Sequence, residues 1–209
     1  MATGLILFSL NRKRTTSVYC MKHSVENVQD YDFELINRFL AGEEVAFNLI
    51  VKRYQKKIYW HARQMLGNHI DADEVTQEVL IVIYKKLKSF NFQSSLYTWI
   101  YKIVSTRSLN QIRKKKIKRF FSLDDPENVI DVEDRQDIVN DLVNKEKLDH
   151  VEKILKKIPP KQREIFIMRN YEQLSYVEIS KITGKSIGGL KANYFYALKK
   201  VMELSDEKG

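Results

Sequence analysis

The sequence predicts an all-α protein of two small helical domains, an N-terminal helical bundle and a C-terminal helix-turn-helix, joined by an acidic linker. Only 7 Gly and 3 Pro stand among 209 residues, which leaves few turns. Apolar residues recur at spacings of three and four, whereas strand-like alternation is scarce. A run of acids interrupts this periodicity. We therefore expect a variable extension at 1–25, a first domain at 26–120, a linker at 121–142 and a second domain at 143–206.

The charge balance favours a polyanionic partner. There are 36 Lys and Arg against 27 Asp and Glu, a net charge of +9. Such an excess attracts polyanions, of which nucleic acid is the usual one. A hydrophobic content of 44% is enough to build cores, so a wholly disordered chain is excluded.

The sequence offers no metal site and no internal disulfide. Cys20 is the single cysteine, and the histidines are scattered at His23, His61, His69 and His150. No cluster has the spacing of zinc ligands, so we expect neither a metal nor a cofactor.

The apolar run at residues 4–10 is too short to span a membrane. It precedes the basic residues 12–14 instead of following them, which makes it a poor signal peptide. We expect a cytoplasmic protein without membrane insertion. Residues 1–20 differ from the rest, so Met1 and Met21 are both candidates for the true start.

Between residues 32 and 87 the apolar spacing predicts three helices. The first two are separated at residues 41–44, where Gly42 suits a cap and acids suit the next first turn. The second break, at Gly67 and Asn68, uses residues that tolerate left-handed backbone angles. The third helix begins at the acidic residues 71–74.

Three carboxylates of the third helix, Asp71, Glu74 and Glu78, share one face because they lie at i, i+3 and i+7. This face has three interpretations: a solvated surface, a docking surface for a basic partner, or a divalent-metal site with nuclease chemistry. No second set of carboxylates and histidines completes a metal site, so the nuclease is the least favoured of the three.

The segment from Ser89 to Phe120 combines aromatic rings with a basic run. Seven cations and no acid lie between residues 107 and 119, namely Arg107, Arg113, Lys114, Lys115, Lys116, Lys118 and Arg119. They repel one another unless a polyanion neutralises them. The upstream rings Phe90, Phe92, Tyr97, Trp99 and Tyr101 suit the stacking of unpaired bases if they are exposed. The alternative is an amphipathic helix with buried rings and a solvated basic end.

A helix from about Leu96 to Lys116 places ring, hydrogen-bonding and cationic groups in one stripe, made of Trp99, Lys102, Thr106, Asn110 and Arg113. The loop before it, residues 91–95, offers amides and hydroxyls that read a base edge once the base has left the stack. Downstream, residues 122–141 hold eight acids against the single base Arg135, which indicates a flexible boundary between folded units.

The second domain has the signature of a helix-turn-helix. Helical periodicity resumes at 143–158 and stops at residues 159–160, both proline. Ser175 and Glu178 form a capping box, the helix they open ends near Gly184, and Ser186 caps the next one. The expected core is Ile179, Ile182, Ile187, Leu190 and Leu198.

The last helix has an outward arc suited to a major groove. That arc holds Gly188, Ala192, Phe195, Tyr196 and Lys199, with Lys191 and Asn193 at its margins. Phe195 suits a thymine methyl, Asn193 suits adenine, and the lysines suit phosphates. The alternative is a helical hairpin used only for protein contact.

Residues 39–116 resemble the second conserved region of bacterial RNA polymerase sigma factors, in particular the extracytoplasmic-function group of the sigma-70 family. The motifs are AFNLIVKRYQKKIY, DADEVTQEVLIVIYKKL and SSLYTWIYKIVSTRSLNQIRKKK. The resemblance implies docking on the clamp helices of the largest polymerase subunit through Asp71, Asp73, Glu74, Gln77 and Glu78. It also implies melting and reading of the minus-ten element as a single strand, by Phe92, Ser94, Trp99, Lys102, Thr106, Asn110, Arg113 and Lys114. Many relatives carry Asn where Thr106 stands, a difference that bears on base preference.

The motifs IPPKQREIF, LSYVEIS and SIGGLKANYFYALKKV resemble the fourth conserved region of the same group, which binds the duplex minus-thirty-five element. The residues this assigns to DNA are Ser186, Gly188, Lys191, Ala192, Asn193, Phe195, Tyr196 and Lys199. Relatives often have arginines where Asn193 and Tyr196 stand, so we expect a less guanine-rich element.

The resemblances together imply a sigma factor that directs promoter-specific transcription initiation. Its expected partners are promoter DNA, core RNA polymerase (clamp helices and the flap of the second largest subunit) and an anti-sigma factor, which would clamp the two domains and hide both DNA surfaces. It would be no enzyme, with no catalytic residue. The alternative is a dimeric helix-turn-helix regulator that binds duplex DNA only, for which the 89–119 segment has no use.

Overall fold

The structure, a computed structural model, describes residues 18–121 and 152–206, with side chains from 29 to 121 and from 152 to 205. Every regular element within these ranges is a helix, which confirms the all-α class. In chain order the helices are α1 (Val18–Leu40), α2 (Glu44–Leu66), α3 (His69–Lys86), α4 (Leu96–Phe121), α5 (Pro160–Asn170), α6 (Tyr176–Thr183) and α7 (Ile187–Asp206). A 3-10 turn, Leu87–Ser89, follows α3, and residues 152–157 are also helical.

The expected segment boundaries are only partly within these ranges. Helix α1 runs without a break from Val18, so the boundary expected at residue 26 falls inside a helix. Phe121 ends α4, and the rest of the expected linker, 122–142, lies outside the described residues. The first part of the helix expected at 143–158 does too.

Glycine and asparagine form the sharp turn between α2 and α3. Gly67 has a left-handed φ of 73°, and its N–H donates to the carbonyl of Arg63 at 2.7 Å. Asn68 caps α3, because its side-chain oxygen accepts from the N–H of Asp71 at 2.8 Å. The break expected at Gly67 and Asn68 is confirmed, and α3 begins two residues before the acidic run.

Helix α2 lies at the centre of the N-terminal bundle and packs against α1, α3 and α4. Its inner face includes the buried residues Ile50, Tyr54 and Ile58. The Tyr54 hydroxyl donates to the carboxylate of Asp32 in α1, and Arg53 Nε lies 3.0 Å from that carboxylate. Burial raises the pKa of Asp32, and these two partners offset part of the cost of burying its charge.

The C-terminal bundle is the expected helix-turn-helix. The Ser175 hydroxyl accepts from the N–H of Glu178, whose carboxylate accepts from the N–H of Ser175 at 2.7 Å, so the capping box is confirmed. Gly184 ends α6 with a left-handed φ of 71°. The core placement is wrong for Ile187, which is 41% exposed because it opens α7 before the helix's inner face meets α5 and α6.

The two bundles pack directly against each other. Helix α5 lies on α2 and α4, and α6 lies on α4. The buried apolar residues of both bundles form one continuous cluster. This contact was not part of the expectation from sequence, and it places the C-terminal domain beside the helix that carries the aromatic stripe.

Candidate nucleic-acid interface

Four aromatic rings gather where the loop at residues 90–95 enters α4. The ring centroid of Phe90 lies 5.1 Å from that of Phe92 and 5.5 Å from that of Trp99. Phe33 of α1 reaches Phe92 at 5.1 Å. Phe90 is buried, Phe92 is 38% exposed and Trp99 is half-buried. The cluster therefore holds Phe92 and Trp99 at the surface on a packed aromatic base.

The backbone of Phe92 is left-handed, with a φ of 57°. A residue with a side chain pays about 1–3 kcal/mol for such a conformation, which persists only when its surroundings enforce it. The ring contacts to Phe33 and Phe90 are the enforcing interactions here. Strain of this kind concentrates at functional sites.

Some polar side chains of the loop at residues 90–95 bond to its backbone, and others face solvent. Ser95 caps α4, since its hydroxyl accepts from the N–H of Thr98 at 3.1 Å. Asn91 accepts from the N–H of Gln93 at 3.3 Å. The side chains of Gln93 and Ser94 have no hydrogen-bond partner among the described residues, so they remain available to a ligand.

The expected stripe forms one face of α4. Lys102, Thr106, Asn110 and Arg113 are all exposed and continue from Trp99 at spacings of three and four. Lys114, at the side of the stripe, is exposed as well. The Thr106 hydroxyl donates to the carbonyl of Lys102 at 2.7 Å, and Arg113 contacts Asn110 at 3.4 Å. Within the described ranges no acid pairs with these cations, which leaves them free to meet phosphates.

Two of the rings expected to stack bases belong to the core instead. Tyr97 and Tyr101 stack on each other with centroids 4.2 Å apart, on the side of α4 that faces the C-terminal domain. Tyr101 is buried and Tyr97 is half-buried. Phe90 is buried as well, so the amphipathic alternative is correct for these rings, and the base-stacking interpretation is left with Phe92 and Trp99.

A ladder of polar contacts joins α3 to α4. Arg107 lies 3.4 Å from Glu78, Gln111 donates to Glu74 at 3.0 Å, and Lys115 bonds to Asp71. The three α4 residues are four apart, so they face α3 on successive turns. We call these three contacts the α3–α4 ladder. It pairs two cations of the basic run, Arg107 and Lys115, with acids of α3.

The ladder changes the interpretation of the acidic face. Asp71 is only 5% exposed, bonded to Asn68 and Lys115, and therefore has a structural role. The other residues expected to dock remain accessible: Glu74, Gln77 and Glu78 are exposed, and half-buried Asp73 lies 3.2 Å from His69. Among the described residues no group of His, Cys, Asp and Glu is arranged to hold a metal ion.

Two apolar residues extend this face of α3 and were missed from sequence. Ile81 is 53% exposed, and Tyr84 is exposed at its edge while packing on Phe39 and Phe47. Ile81 follows Gln77 by four residues and Tyr84 follows it by seven, and that helical spacing was the signal available in the sequence. The result is a mixed polar and apolar face, as protein docking surfaces usually are.

Helix α7 presents the expected outward arc. Phe195 and Tyr196 project from the helix, with ring centroids 5.8 Å apart. The other exposed members are Ser186, Gly188, Lys191, Ala192 and Lys199. Asn193 is half-buried, and its amide donates to the carbonyl of Gly189 at 2.7 Å, so one of its two donors is engaged by its own helix.

Across the helices that the structure describes, none is both long and apolar enough to cross a bilayer. The exposed stripe of α4 and the outward arc of α7 are the two basic and aromatic surfaces with groups suited to nucleic acid. The α4 stripe carries rings and an amide, groups suited to unpaired bases, and α7 is the second helix of a helix-turn-helix, a motif typical of proteins that bind duplex DNA.

Comparison with known proteins gives a consistent result. The sigma-70 region 2 family matches residues 50–117, and the sigma-70 region 4 family matches residues 148–201; together they cover more than half of the chain. The chain is 29% identical over 171 residues to the ECF RNA polymerase sigma factor SigW of Bacillus subtilis, covering 75% of this chain and 87% of SigW.

Solved structures share the fold. CnrH in complex with the cytosolic domain of CnrY aligns with a TM-score of 0.65 at 18% identity, covering 86% of this chain and 99% of CnrH. The sigma factor RpoE in complex with the anti-sigma factor NepR, from Bartonella quintana, aligns with a TM-score of 0.61 at 22% identity, covering 77% of this chain and 96% of RpoE.

Proposed function

This chain belongs to the extracytoplasmic-function group of the sigma-70 family, and we propose that it directs transcription initiation by binding one promoter at two sites. As a sigma factor it is an initiation factor that works with RNA polymerase. The proposal assigns the opened strand to the N-terminal domain and closed duplex to the C-terminal domain.

The observation that carries the proposal is the exposed stripe of α4 beside the strained aromatic loop. Phe92 and Trp99 offer ring faces, Asn110 offers an amide, and the cations meet phosphates. A domain that binds only duplex DNA has no use for this combination. We therefore assign the minus-ten element to Phe92, Ser94, Trp99, Lys102, Thr106, Asn110, Arg113 and Lys114.

The minus-thirty-five element is assigned to α7. Small residues at Gly188 and Ala192 permit close approach to a major groove, and the exposed ring of Phe195 is available to contact a thymine methyl. The full set is Ser186, Gly188, Lys191, Ala192, Asn193, Phe195, Tyr196 and Lys199. The exposure of this arc supports the assignment.

Docking on the polymerase is assigned to the exposed face of α3. Its residues are Asp73, Glu74, Gln77 and Glu78, extended by Ile81 and Tyr84. These would meet the clamp helices, while the C-terminal domain meets the flap. Asp71 is left out of the docking set because it is buried in the α3–α4 ladder.

We assign no catalytic residue and no cofactor, since the polymerase performs the chemistry. Working with polymerase on promoter DNA implies a cytoplasmic location. An anti-sigma factor is a further proposed partner, supported by the fold shared with RpoE, whose solved structure contains the anti-sigma factor NepR.

The test is run-off transcription with purified core polymerase on a genomic library. Adding the full chain should produce new start sites that share an upstream and a start-proximal element. If the chain bound duplex DNA but never redirected the polymerase, the dimeric regulator would be the better description.

A further inference from the structure

A buried ion pair lies at the contact between the two domains. His61 of α2 donates from Nδ1 to Glu172 Oε1 at 2.6 Å, although 111 residues separate them in the chain. The His61 side chain is 0% exposed and that of Glu172 is 10% exposed. Glu172 lies in the turn between α5 and α6, followed by Gln173 with a left-handed φ of 55°. That unfavourable backbone conformation helps to aim the carboxylate into the N-terminal domain.

Further polar contacts surround this pair. Ser105 of α4 bonds to Glu164 of α5, which Lys185 also contacts at 3.2 Å. The Arg163 guanidinium donates to the carbonyl of Met65 at the end of α2. The contact between the domains therefore combines the shared apolar cluster with buried charges and hydrogen bonds, and these polar groups can be hydrated when the domains separate.

The closed arrangement constrains the proposed function, on which this inference rests. Both proposed DNA surfaces are exposed, yet the packing of α6 on α4 fixes the distance between them. The expected linker contributes residues 122–142 between the domains, and twenty-one extended residues can span up to about 70 Å. The connection is therefore long enough for the C-terminal domain to leave α4 and reach a distant promoter element.

We propose that the His61–Glu172 pair is the latch of a closed resting state of the unbound chain, and that loss of a proton from His61 favours the open state that engages polymerase and promoter. The latch is intramolecular, so it restrains the chain without any inhibitor. It acts by fixing the separation of two DNA surfaces that stay exposed.

The groups that face His61 set the direction in which its pKa shifts, while its buried Nε2 has no hydrogen-bond partner among the described residues. Burial by itself lowers the pKa of His61, but the charge and hydrogen bond of Glu172 and the charge of Glu164 together raise it. From α4, the ring of Tyr101 packs edge-on at 5.4 Å, and burial raises the pKa of its phenol, which stays neutral. Lys185 pairs with Glu164 and so reduces the amount by which the charge of Glu164 raises the pKa of His61.

The direction of the pH dependence follows from this rise. His61 binds its proton more tightly in the closed state than in the open one, so closing takes up a proton. The stabilisation is fully present below the ordinary pKa of 6.5 and is lost as the pH rises through the raised pKa of the closed state. The ratio of closed to open chain falls by up to about tenfold for each unit by which the pKa is raised.

The experiment measures energy transfer between two dyes on the full-length chain. Cysteines replace the exposed residues Gln55 of α2 and Lys181 of α6, and Cys20→Ser removes the native thiol. At about pH 6 we expect a short inter-dye distance, and at about pH 8.5 a growing long-distance population. Glu172→Gln should be open at both values and lose the pH response.

The matched control is Glu203→Gln, which removes an exposed glutamate of the same domain whose one ionic partner among the described residues is Lys200. It should behave as the parent does. An unchanged distance in Glu172→Gln, or a parent chain without any pH response, would overturn the latch. The parent titration needs no substitution at the interface, so it decides the question even if Glu172→Gln misfolds.

A second readout separates the latch from the proposed function. Titrating the labelled chain with core polymerase should show about tenfold tighter apparent binding for Glu172→Gln, because the open fraction no longer limits it. Equal affinities would contradict the link between latch and function. If neither chain bound polymerase while the distance still responded to pH, the latch would stand and the proposed function would fall.

Discussion

Trp99 and Phe92 reach the surface by different means. Trp99 is placed by its position on α4, whereas Phe92 is placed by a left-handed backbone that ring contacts enforce. Both rings keep one side packed and one side accessible. A ring already held in place loses little conformational entropy when a base stacks on it, so binding is stronger for the same contact.

We expect Trp99→Ala to slow promoter opening by about tenfold to a hundredfold, since stacking of a base on an aromatic ring contributes about 1–3 kcal/mol. Duplex binding by the C-terminal domain should stay nearly unchanged. Fluorescence of a base analogue in the minus-ten element measures opening, and a filter-binding assay measures duplex affinity.

Trp60→Ala is the control for this prediction. Trp60 is 40% exposed on α2 and lies outside the α4 stripe. It should open promoters at the parent rate. Equal losses of opening and duplex binding in Trp99→Ala would contradict the division of labour between the domains.

Residue spacing predicted the α4 stripe, but it did not distinguish which rings are exposed. Trp99, Tyr97 and Tyr101 all lie on α4, and a helical wheel alone does not say that a second domain covers Tyr101. That burial is set by packing between segments far apart in the chain. The same holds for Asp71, because helical spacing placed its carboxylate on the face expected to dock and did not show that Lys115 bonds to it.

At the scale of elements, the α3–α4 ladder fixes the helix that carries the stripe. Its three contacts hold successive turns of α4 against α3, and Asp71 is its most buried member. The same carboxylate accepts from Asn68, the N-cap of α3. Asp71 therefore ties the start of α3 to the basic end of α4.

We expect Asp71→Ala to lower the free energy of unfolding by about 1–3 kcal/mol, because it leaves the Asn68 amide and Lys115 without their carboxylate. Asp73→Ala, which removes a half-buried acid two residues away whose i, i+4 partner is His69, should change it by less than about 0.5 kcal/mol. Urea unfolding followed by circular dichroism measures both. Similar values for the two variants would mean that the ladder adds no stability.

Helix α7 provides a test at the same scale. Phe195→Ala should weaken binding to the upstream element by about 1–2 kcal/mol, since it removes a contact to a thymine methyl. Polymerase binding should not change. Fluorescence anisotropy with a duplex oligonucleotide measures the loss, and Met202→Ala, an exposed position two turns on, is the control. If Phe195→Ala weakened polymerase binding instead, α7 would be a helix that contacts the polymerase and not the DNA.

The capping signals of these elements were predictable because they are local. Ser175 with Glu178, and the break at Gly67, act within a few residues of chain, and the structure has them as the sequence indicated. Asn68, expected as a turn residue, instead has an extended backbone and caps α3. The exposure of Ile187 was not predictable from the sequence, because it depends on the angle at which α7 enters the bundle.

At the scale of the whole molecule, Arg163 joins the two domains. Its guanidinium donates to the carbonyls of Met65, Lys156 and Ile158, and the residue is only 6% exposed. Burial lowers its pKa to about 10, which shows how little water surrounds the charge. One side chain thus satisfies backbone groups of both bundles.

We expect Arg163→Met to destabilise the chain by about 2–4 kcal/mol, because the carbonyls it serves are left without a donor. The loss should also separate the unfolding of the two bundles, giving two transitions where the parent has one. Differential scanning calorimetry measures both effects. Lys161→Met, at an exposed position of the same helix, should leave the single transition intact, and one transition in both variants would contradict the coupling.

The α3–α4 ladder has a further consequence for salt dependence. Of the seven cations between residues 107 and 119, Arg107 and Lys115 are already occupied by acids of α3, so at most five can displace counterions from a bound strand. For single strands the logarithm of affinity falls with the logarithm of salt at a slope of about −0.7 per phosphate neutralised. This segment should therefore contribute a slope no steeper than about −3.5, against about −5 if every cation acted.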